Sequence, residues 1–182
     1  MPIRIATEAD IPAMLEIYRP YVENTTYSFE YDVPCRKTFT QRFYDHIQQF
    51  PWLVWEEEGV VRGYAYAGAP WERAVYRWCA EISIYLHESI HGQGIGRQLY
   101  TAIEQILEKQ GYRVVYALVT SENTGSVAFH ERLGYRTRAT FTDCGYKMGR
   151  WLGVTWLEKR LCAGGAPVSF PRKWMDCMEN LD

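Results

Sequence analysis

The sequence predicts a single domain of the α/β class, and three observations carry that prediction. A chain of 182 residues with 47% hydrophobic and 23% charged residues has the length and balance of one globular unit with a sizeable core. Segments with apolar residues three and four apart, the period of a helix, are interleaved with segments in which apolar and polar residues alternate, the period of a strand. A run of glycines falls between one such strand and one such helix, where the chain must turn tightly.

Ile3-Arg-Ile-Ala6 alternates as a short strand, and Thr7 with Asp10 three residues later predicts a helix N-cap with an acidic first turn. Ile11, Met14, Leu15 and Tyr18 form the apolar stripe of the helix that follows, ending near Val22. Asn24 to Pro34 breaks that period and is rich in aromatics and hydroxyls, which predicts a loop. Helical spacing returns from Thr38 to Phe50 and is closed by Pro51. Trp52 to Trp55 and Val60 to Ala67 predict an antiparallel hairpin across Glu57-Glu-Gly59, with Gly63 marking a bulge. After an irregular stretch, Glu81 to Leu86 alternates strictly, with Ile82, Ile84 and Leu86 on one face and Glu81, Ser83 and Tyr85 on the other. A helix through Leu99, Ile103, Ile106 and Leu107 stops at Gly111. Val114 to Val119 is nearly continuous in apolar residues, as a strand buried on both faces is. A short helix over Asn123 to Leu133 and strands over about Arg136 to Phe141 and Val154 to Leu161 complete a domain of residues 1–161. Residues 162–182, with Gly164-Gly165 and two prolines, are expected as a tail that docks or stays loose.

Charge and composition exclude several function classes. Twenty basic against 22 acidic residues leave a net charge of −2, which offers no field for nucleic acid or an anionic membrane. The longest apolar runs fall short of the roughly 20 residues of a membrane-spanning helix. The acidic start Met1 to Asp10 is unlike a secretory leader, so a cytoplasmic location is expected. The five cysteines, Cys35, Cys79, Cys144, Cys162 and Cys177, are odd in number and scattered without a C-x-x-C pair, so they read as reduced packing residues rather than disulfides or zinc ligands. His87-Glu-Ser-Ile-His91 spells the H-E-x-x-H pattern of zinc proteases. That chemistry needs both imidazoles on one helix, and here a strand precedes the segment and Gly92-Gln-Gly-Ile-Gly96 follows it, so no metal is expected.

The glycine run is the richest feature. Free N–H groups at a helix N-terminus, together with the helix dipole, make a cradle for phosphate. The spacing is neither G-x-G-x-x-G nor that of a P-loop, so a dinucleotide fold and a nucleotide hydrolase are unsupported. Close packing at the helix start would also require glycines there.

The segment from Ile84 through Gly92-Gln-Gly-Ile-Gly96-Arg97 to Leu99 resembles the acetyl-CoA-binding motif of the GNAT N-acetyltransferase superfamily, and Asn123 through His130-Glu-Arg-Leu-Gly-Tyr135 resembles its second CoA-contacting segment. Within the superfamily the chain looks most like the phosphinothricin and methionine sulfoximine acetyltransferases. That likeness is carried by Arg4 to Asp10, Tyr64 to Gly68 with Trp71, Ala80 to Tyr85, and Gly145 to Trp151. His91 departs from the Gln or Arg usual at the start of the glycine motif; contacts there are mostly through backbone, which the change leaves in place.

The resemblance implies a mixed, mostly antiparallel sheet flanked by helices, acetyl-CoA as cosubstrate, a small-molecule amine as acceptor and a homodimer. It implies CoA contacts from Ile84, Tyr85, Leu86, His91, Gly92, Gln93, Gly94, Ile95, Gly96, Arg97, Asn123 and Ser126. It makes Glu81 the general base, where the sequence alone would favour a surface carboxylate at a strand start. His130 is then an acid or a CoA contact, or else a packing histidine, and Asn123 also suits an N-cap. Trp71, Arg73 and Arg77 are expected to bind the acceptor, arginine being suited to its carboxylate, as are Phe29, Glu30, Lys147 and Trp151, partly across a dimer interface. The implied function is N-acetylation of the α-amine of a glutamate or methionine analogue, hence resistance or detoxification. The alternatives are a different acceptor (a polyamine, an aminoglycoside or a protein N-terminus) or a CoA-binding domain without catalysis.

Overall fold

The computed structural model describes residues 2–162, 164–166 and 169–177. Strands β1 (Ile3–Ile5), β2 (Trp52–Glu57), β3 (Val60–Gly68) and β4 (Cys79–Leu86) pair antiparallel in succession. β5 (Val114–Thr120) runs parallel to β4, and the hairpin of β6 (Arg136–Lys147) and β7 (Arg150–Arg160) attaches through β7, giving the order β1-β2-β3-β4-β5-β7-β6. Helices α1 (Ile11–Glu23) and α2 (Arg36–Ile47) cover one face of the first four strands, burying Ile11, Met14, Val22, Phe39 and Phe43 against Trp52, Val54 and Tyr64. On the other face α3 (Ile95–Gln110) lays Leu99, Ile103 and Leu107 on Ala65, Ala67, Ile82 and Val115, beside α4 (Thr124–Arg132). This is the mixed, mostly antiparallel sheet with flanking helices expected from the sequence.

The strand pattern places the two faces of β4 as read: Ile82, Ile84 and Leu86 join the α3 core, and Tyr85 joins the α1 core. The bulge expected at Gly63 is present, since pairing steps from Trp55↔Gly63 to Glu56↔Val61 and leaves Arg62 extra. Helix α2 is shifted from the predicted 38–50 to 36–47. The N–H groups of Gln49 and Phe50 both bond to the His46 carbonyl, at 3.0 and 2.8 Å, in a tighter final turn before Pro51, which has no N–H to give. The last hairpin is longer than predicted. Register shifts between Thr137 and Ala139 and between Phe141 and Gly145 offset the alternation that marks a strand, and Met148 and Gly149 turn the chain at its tip with φ of 51° and 78°. The described part of the tail docks: Trp174 Nε1 donates to the Ile47 carbonyl (2.7 Å) and the Arg172 N–H to that of Gln110 (2.8 Å).

The expected N-cap is a polar knot. Asp10, 6% exposed, accepts two bonds of 2.7 Å from the Arg4 guanidinium and one of 2.7 Å from the Thr7 N–H, tying β1 to the first turn before α1. Arg4 holds this carboxyl below the usual carboxylate range. Asp10→Asn should therefore destabilise the chain by about 2 kcal/mol in urea denaturation near neutral pH. Because the folded-state value is depressed, the wild-type advantage is complete above the unfolded value of about 3.9 and should vanish as the pH falls through the lower folded value.

Candidate active site

The parallel pair of β4 and β5 is joined at three positions, Cys79↔Val114, Ala80↔Val115 and Glu81↔Tyr116. Beyond them the strands part, and a cavity of about 90 Å³ opens between residues 82–85 and 117–120. Side chains take over the edge that β4 loses. The Tyr21 hydroxyl donates to the Leu86 carbonyl (2.7 Å) and accepts from the Leu86 N–H (3.3 Å), while the Tyr100 hydroxyl lies 3.2 Å from the Ile82 carbonyl. The His87 N–H bonds to Arg62 on β3 (2.7 Å), so alternation along the strand turns the main-chain groups of Ile82, Ile84 and Leu86 toward the gap. The N–H of Ile84 thus faces the cavity.

Tyr100 also meets His130. The buried His130 places Nδ1 2.7 Å from the Ser126 carbonyl and Nε2 2.6 Å from the Tyr100 hydroxyl. Burial pushes the imidazole below its ordinary value, so near neutral pH the ring is uncharged. A carbonyl can only accept, so the proton sits on Nδ1 and Nε2 accepts from Tyr100. Glu81, in the last shared rung, faces the other side of β4 from Ile82. Its carboxylate has no hydrogen-bond or ion-pair partner among the described residues, and burial raises its pKa.

The gap continues into a groove of about 700 Å³ that reaches the start of α3. Ile84, Leu86, His91, Gly92, Gly94, Ile95, Gly96, Arg97, Asn123 and Ser126 line it together. Gly92 and Gly94 have φ of 75° and 78°, a conformation that side chains other than glycine's resist, and Gly94 caps α3 so that its first N–H groups face the groove. At Gly96 an added Cβ would sit 3.3 Å from the Phe129 ring. His91 Nε2 lies 3.1 Å from the Leu86 carbonyl and 3.3 Å from the Tyr21 hydroxyl. Asn123 serves as the N-cap of α4, accepting from the Ser126 N–H at 3.1 Å, and still fronts the groove. Gln93 turns its amide back to donate to the Ser89 carbonyl (2.9 Å), while Tyr85 lines the small cavity between β4 and β5 with its ring packed on the α1 side, 4.7 Å from Tyr18. The H-E-x-x-H segment is one short 3₁₀ turn (Glu88–Ile90) between extended residues, with His87 bonded to Ser89 and His91 to Leu86.

The residues expected to frame the acceptor fall into two groups. Trp71, Arg73 and Arg77 line a pocket of about 290 Å³ at the start of β4, together with Cys79. The others brace the chain. Glu30 pairs with Arg42 and accepts from the Tyr18 hydroxyl (3.0 Å); Phe29 packs over Gly145; Trp151 leans edge-on against Tyr146 and is 63% exposed. Lys147, expected to face substrate, is instead buried, and its ammonium donates to the Val22 (2.7 Å) and Ser28 (2.8 Å) carbonyls. That corrects its role to a strut under the loop after α1. Sequence reasoning missed Tyr21 and Tyr100, both lining the cavity. Tyr100 follows Leu99 on the buried side of α3, where it was indistinguishable from a packing residue.

A mixed sheet whose one parallel pair splays beside a glycine-capped helix, opening a continuous groove, is the frame of an acyl-CoA-dependent transferase. The chain belongs to the GNAT acetyltransferase family: residues 3–156 match the model of the acetyltransferase (GNAT) domain. It is 37% identical over 158 residues to the phosphinothricin N-acetyltransferase of Streptomyces viridochromogenes, covering 86% of each chain. It is 34% identical over 169 residues to the L-methionine sulfoximine/L-methionine sulfone acetyltransferase of Salmonella typhimurium, covering 92% of this chain and 98% of the relative. The crystal structure of a GNAT phosphinothricin acetyltransferase from Sinorhizobium meliloti in complex with acetyl-CoA is similar with a TM-score of 0.88 and 32% identity, over 92% of this chain and 94% of that one. The chain is accordingly an acetyl-CoA-dependent N-acetyltransferase, and the left-handed glycines, free helix N-terminus and long groove suit a pyrophosphate with an extended arm.

Gly94→Val should abolish acetyl-CoA binding in calorimetry while α3 persists by circular dichroism, because the added side chain forces the capping residue out of its left-handed conformation. Normal affinity would contradict the cradle.

Proposed function

We propose that the chain transfers the acetyl group of acetyl-CoA directly to the α-amine of a small amino-acid analogue such as phosphinothricin or methionine sulfoximine, with Glu81 as general base. The observation that carries the reading is the position of the Glu81 carboxylate: half-buried, without a partner among the described residues, and at the last residue of β4 that pairs with β5. A carboxylate raised by burial is a stronger base than one in water. An α-amine, with a pKa of about 7.7–8.0, is partly neutral near pH 7.5, whereas a lysine amine at about 10.4 is not. Modest base assistance therefore suffices.

Acetyl-CoA supplies the activated acyl group; this chain's residues supply the rest. Gly92, Gly94 and the first N–H groups of α3 would hold the pyrophosphate, and Ile84 and Asn123 the arm. The Ile84 N–H faces the place where negative charge develops on the acyl oxygen, and donors fixed in advance at such a point are effective. Neutral His130 has no proton on Nε2 to give, so the donor of that pair is the Tyr100 hydroxyl. The acceptor's proton passes to Glu81, directly or through a water.

The reading includes a cytoplasmic resistance or detoxification enzyme working as a homodimer. Its supports are five free cysteines, which suit a reducing compartment, and an open sheet face on which Leu118, Phe141 and the stacked Trp71 and Trp156 remain accessible to a second copy. No helix among the described residues is long and apolar enough to cross a membrane.

CoA-thiol release should be fast with phosphinothricin, methionine sulfoximine or methionine sulfone, and slow with spermidine, an aminoglycoside or an N-terminal peptide; release confined to the latter would replace the acceptor assignment. Glu81→Gln should lower kcat by about 10²- to 10⁴-fold with unchanged acetyl-CoA affinity. The base works ionised, so wild-type turnover should rise with pH through a limb lying above the ordinary glutamate value of about 4.3. That limb should disappear in Glu81→Gln, and a pH–rate profile identical to wild type would sink the base assignment.

A further inference from the structure

The cavity between β4 and β5, at about 90 Å³, has room for the reacting groups but not for the body of an amino acid. The pocket of about 290 Å³ at the start of β4 does have room, and it sits just under the roughly 300–1,000 Å³ of drug-sized ligand sites. Its rim reaches the base. Cys79 lines it and precedes Glu81 by two residues on the same face of the strand, a rise of about 7 Å. Ala69, also in the lining, follows Gly68, the residue paired with Glu81.

One wall of this pocket comes from outside the family domain. Phe170 and Pro171 line it, and they belong to the tail beyond residue 156, where the family match ends. Hydrogen bonds hold the tail in place on both sides of Phe170. Trp78 Nε1 donates to the Ser169 carbonyl (3.1 Å), and Gln49 Nε2 to that of Arg172 (3.0 Å). The Phe170 ring stacks on Trp78 at 5.1 Å, and the Arg77 guanidinium lies 5.0 Å above its centre. Neither the Arg77 nor the Arg73 guanidinium has an ion-pair or hydrogen-bond partner among the described residues. A guanidinium laid on an aromatic face keeps its in-plane N–H groups free, which is the arrangement for gripping an oxyanion at two points.

We infer that the tail, through Phe170, forms a wall of the acceptor pocket and orients Arg77 toward the oxygen-bearing end of the acceptor's side chain. This rests on the acceptor reading above and assigns the tail a part in specificity that the domain alone does not have. The ligand class is a small amino acid ending in a phosphinate, sulfoximine, sulfone or carboxylate.

Steady-state kinetics of the full chain with phosphinothricin and methionine sulfone test it, comparing Phe170→Ala, Arg77→Gln and the double variant. Phe170 is 55% exposed, so its loss removes a wall without opening the core; the thermal midpoint and the acetyl-CoA Kd by calorimetry serve as controls and should not move. Each single variant should raise the acceptor KM by about tenfold with kcat largely kept, and the double variant should be little worse than the singles because both act through one contact. Wild-type KM in both variants, additive effects, or a parallel loss of acetyl-CoA affinity would overturn the tail's role and leave the acceptor assignment standing. A wild-type chain that acetylates neither compound would overturn the assignment and this inference with it.

Discussion

The arrangement depends on one parallel pairing that stops early. β4 is bonded to β3 from Glu81 to Leu86, and β5 to β7 from Val114 to Thr120, while β4 and β5 share only three rungs. Each half of the sheet keeps its own twist, and the two halves diverge where the shared rungs end. The divergence exposes main-chain polar groups that must find partners. The Tyr21 hydroxyl from α1 bonds both main-chain groups of Leu86, and the Tyr100 hydroxyl from α3, whose proton goes to His130, lies 3.2 Å from the Ile82 carbonyl, one from each face of the sheet. What is left over, the N–H of Ile84, is a donor facing a small cavity.

Desolvation then sets the protonation states. Burial raises Glu81 and lowers His130, so both are pushed toward neutrality by the same cause. Charge enters this region at a cost, which favours groups that exchange protons over groups that merely carry charge. The loop after α1 is the roof of this space, since Tyr27 lines both the cavity and the groove. It is fastened from two sides, by the Lys147 ammonium on Val22 and Ser28 and by the Thr120 hydroxyl on the Thr26 carbonyl (2.8 Å). A lysine between two carbonyls near a helix C-terminus is also favourably placed against the dipole.

Much of the fold was legible because its signals are local. The stripe of α3 and its stop at Gly111, the alternation of β4, and the bulge at Gly63 each follow from short-range pattern and appear as read. The last hairpin was only half legible, since two register shifts break its alternation. Within the site, the groove residues from His91 to Arg97 come as one contiguous turn and so travel together, apart from Gln93. Lys147 was misread because a lone charge in a sequence does not say whether its partner is a ligand or the chain's own carbonyls.

The sequence by itself determined the elements, the glycine cap of α3, the carboxylate opposite the apolar face of β4 and, through resemblance, the acetyl-transfer chemistry. Tertiary structure alone decided where two neighbouring strands part, which tyrosines fill the broken edge, that His130 is neutral and accepts from Tyr100, and that Phe170 comes to lie beside Arg77. The reason is range. Helical and strand periods and turn residues act over a few positions of chain. The separation of β4 from β5, the meeting of residues 100 and 130, and the approach of the tail to residue 77 depend on how distant segments pack, which no local pattern encodes.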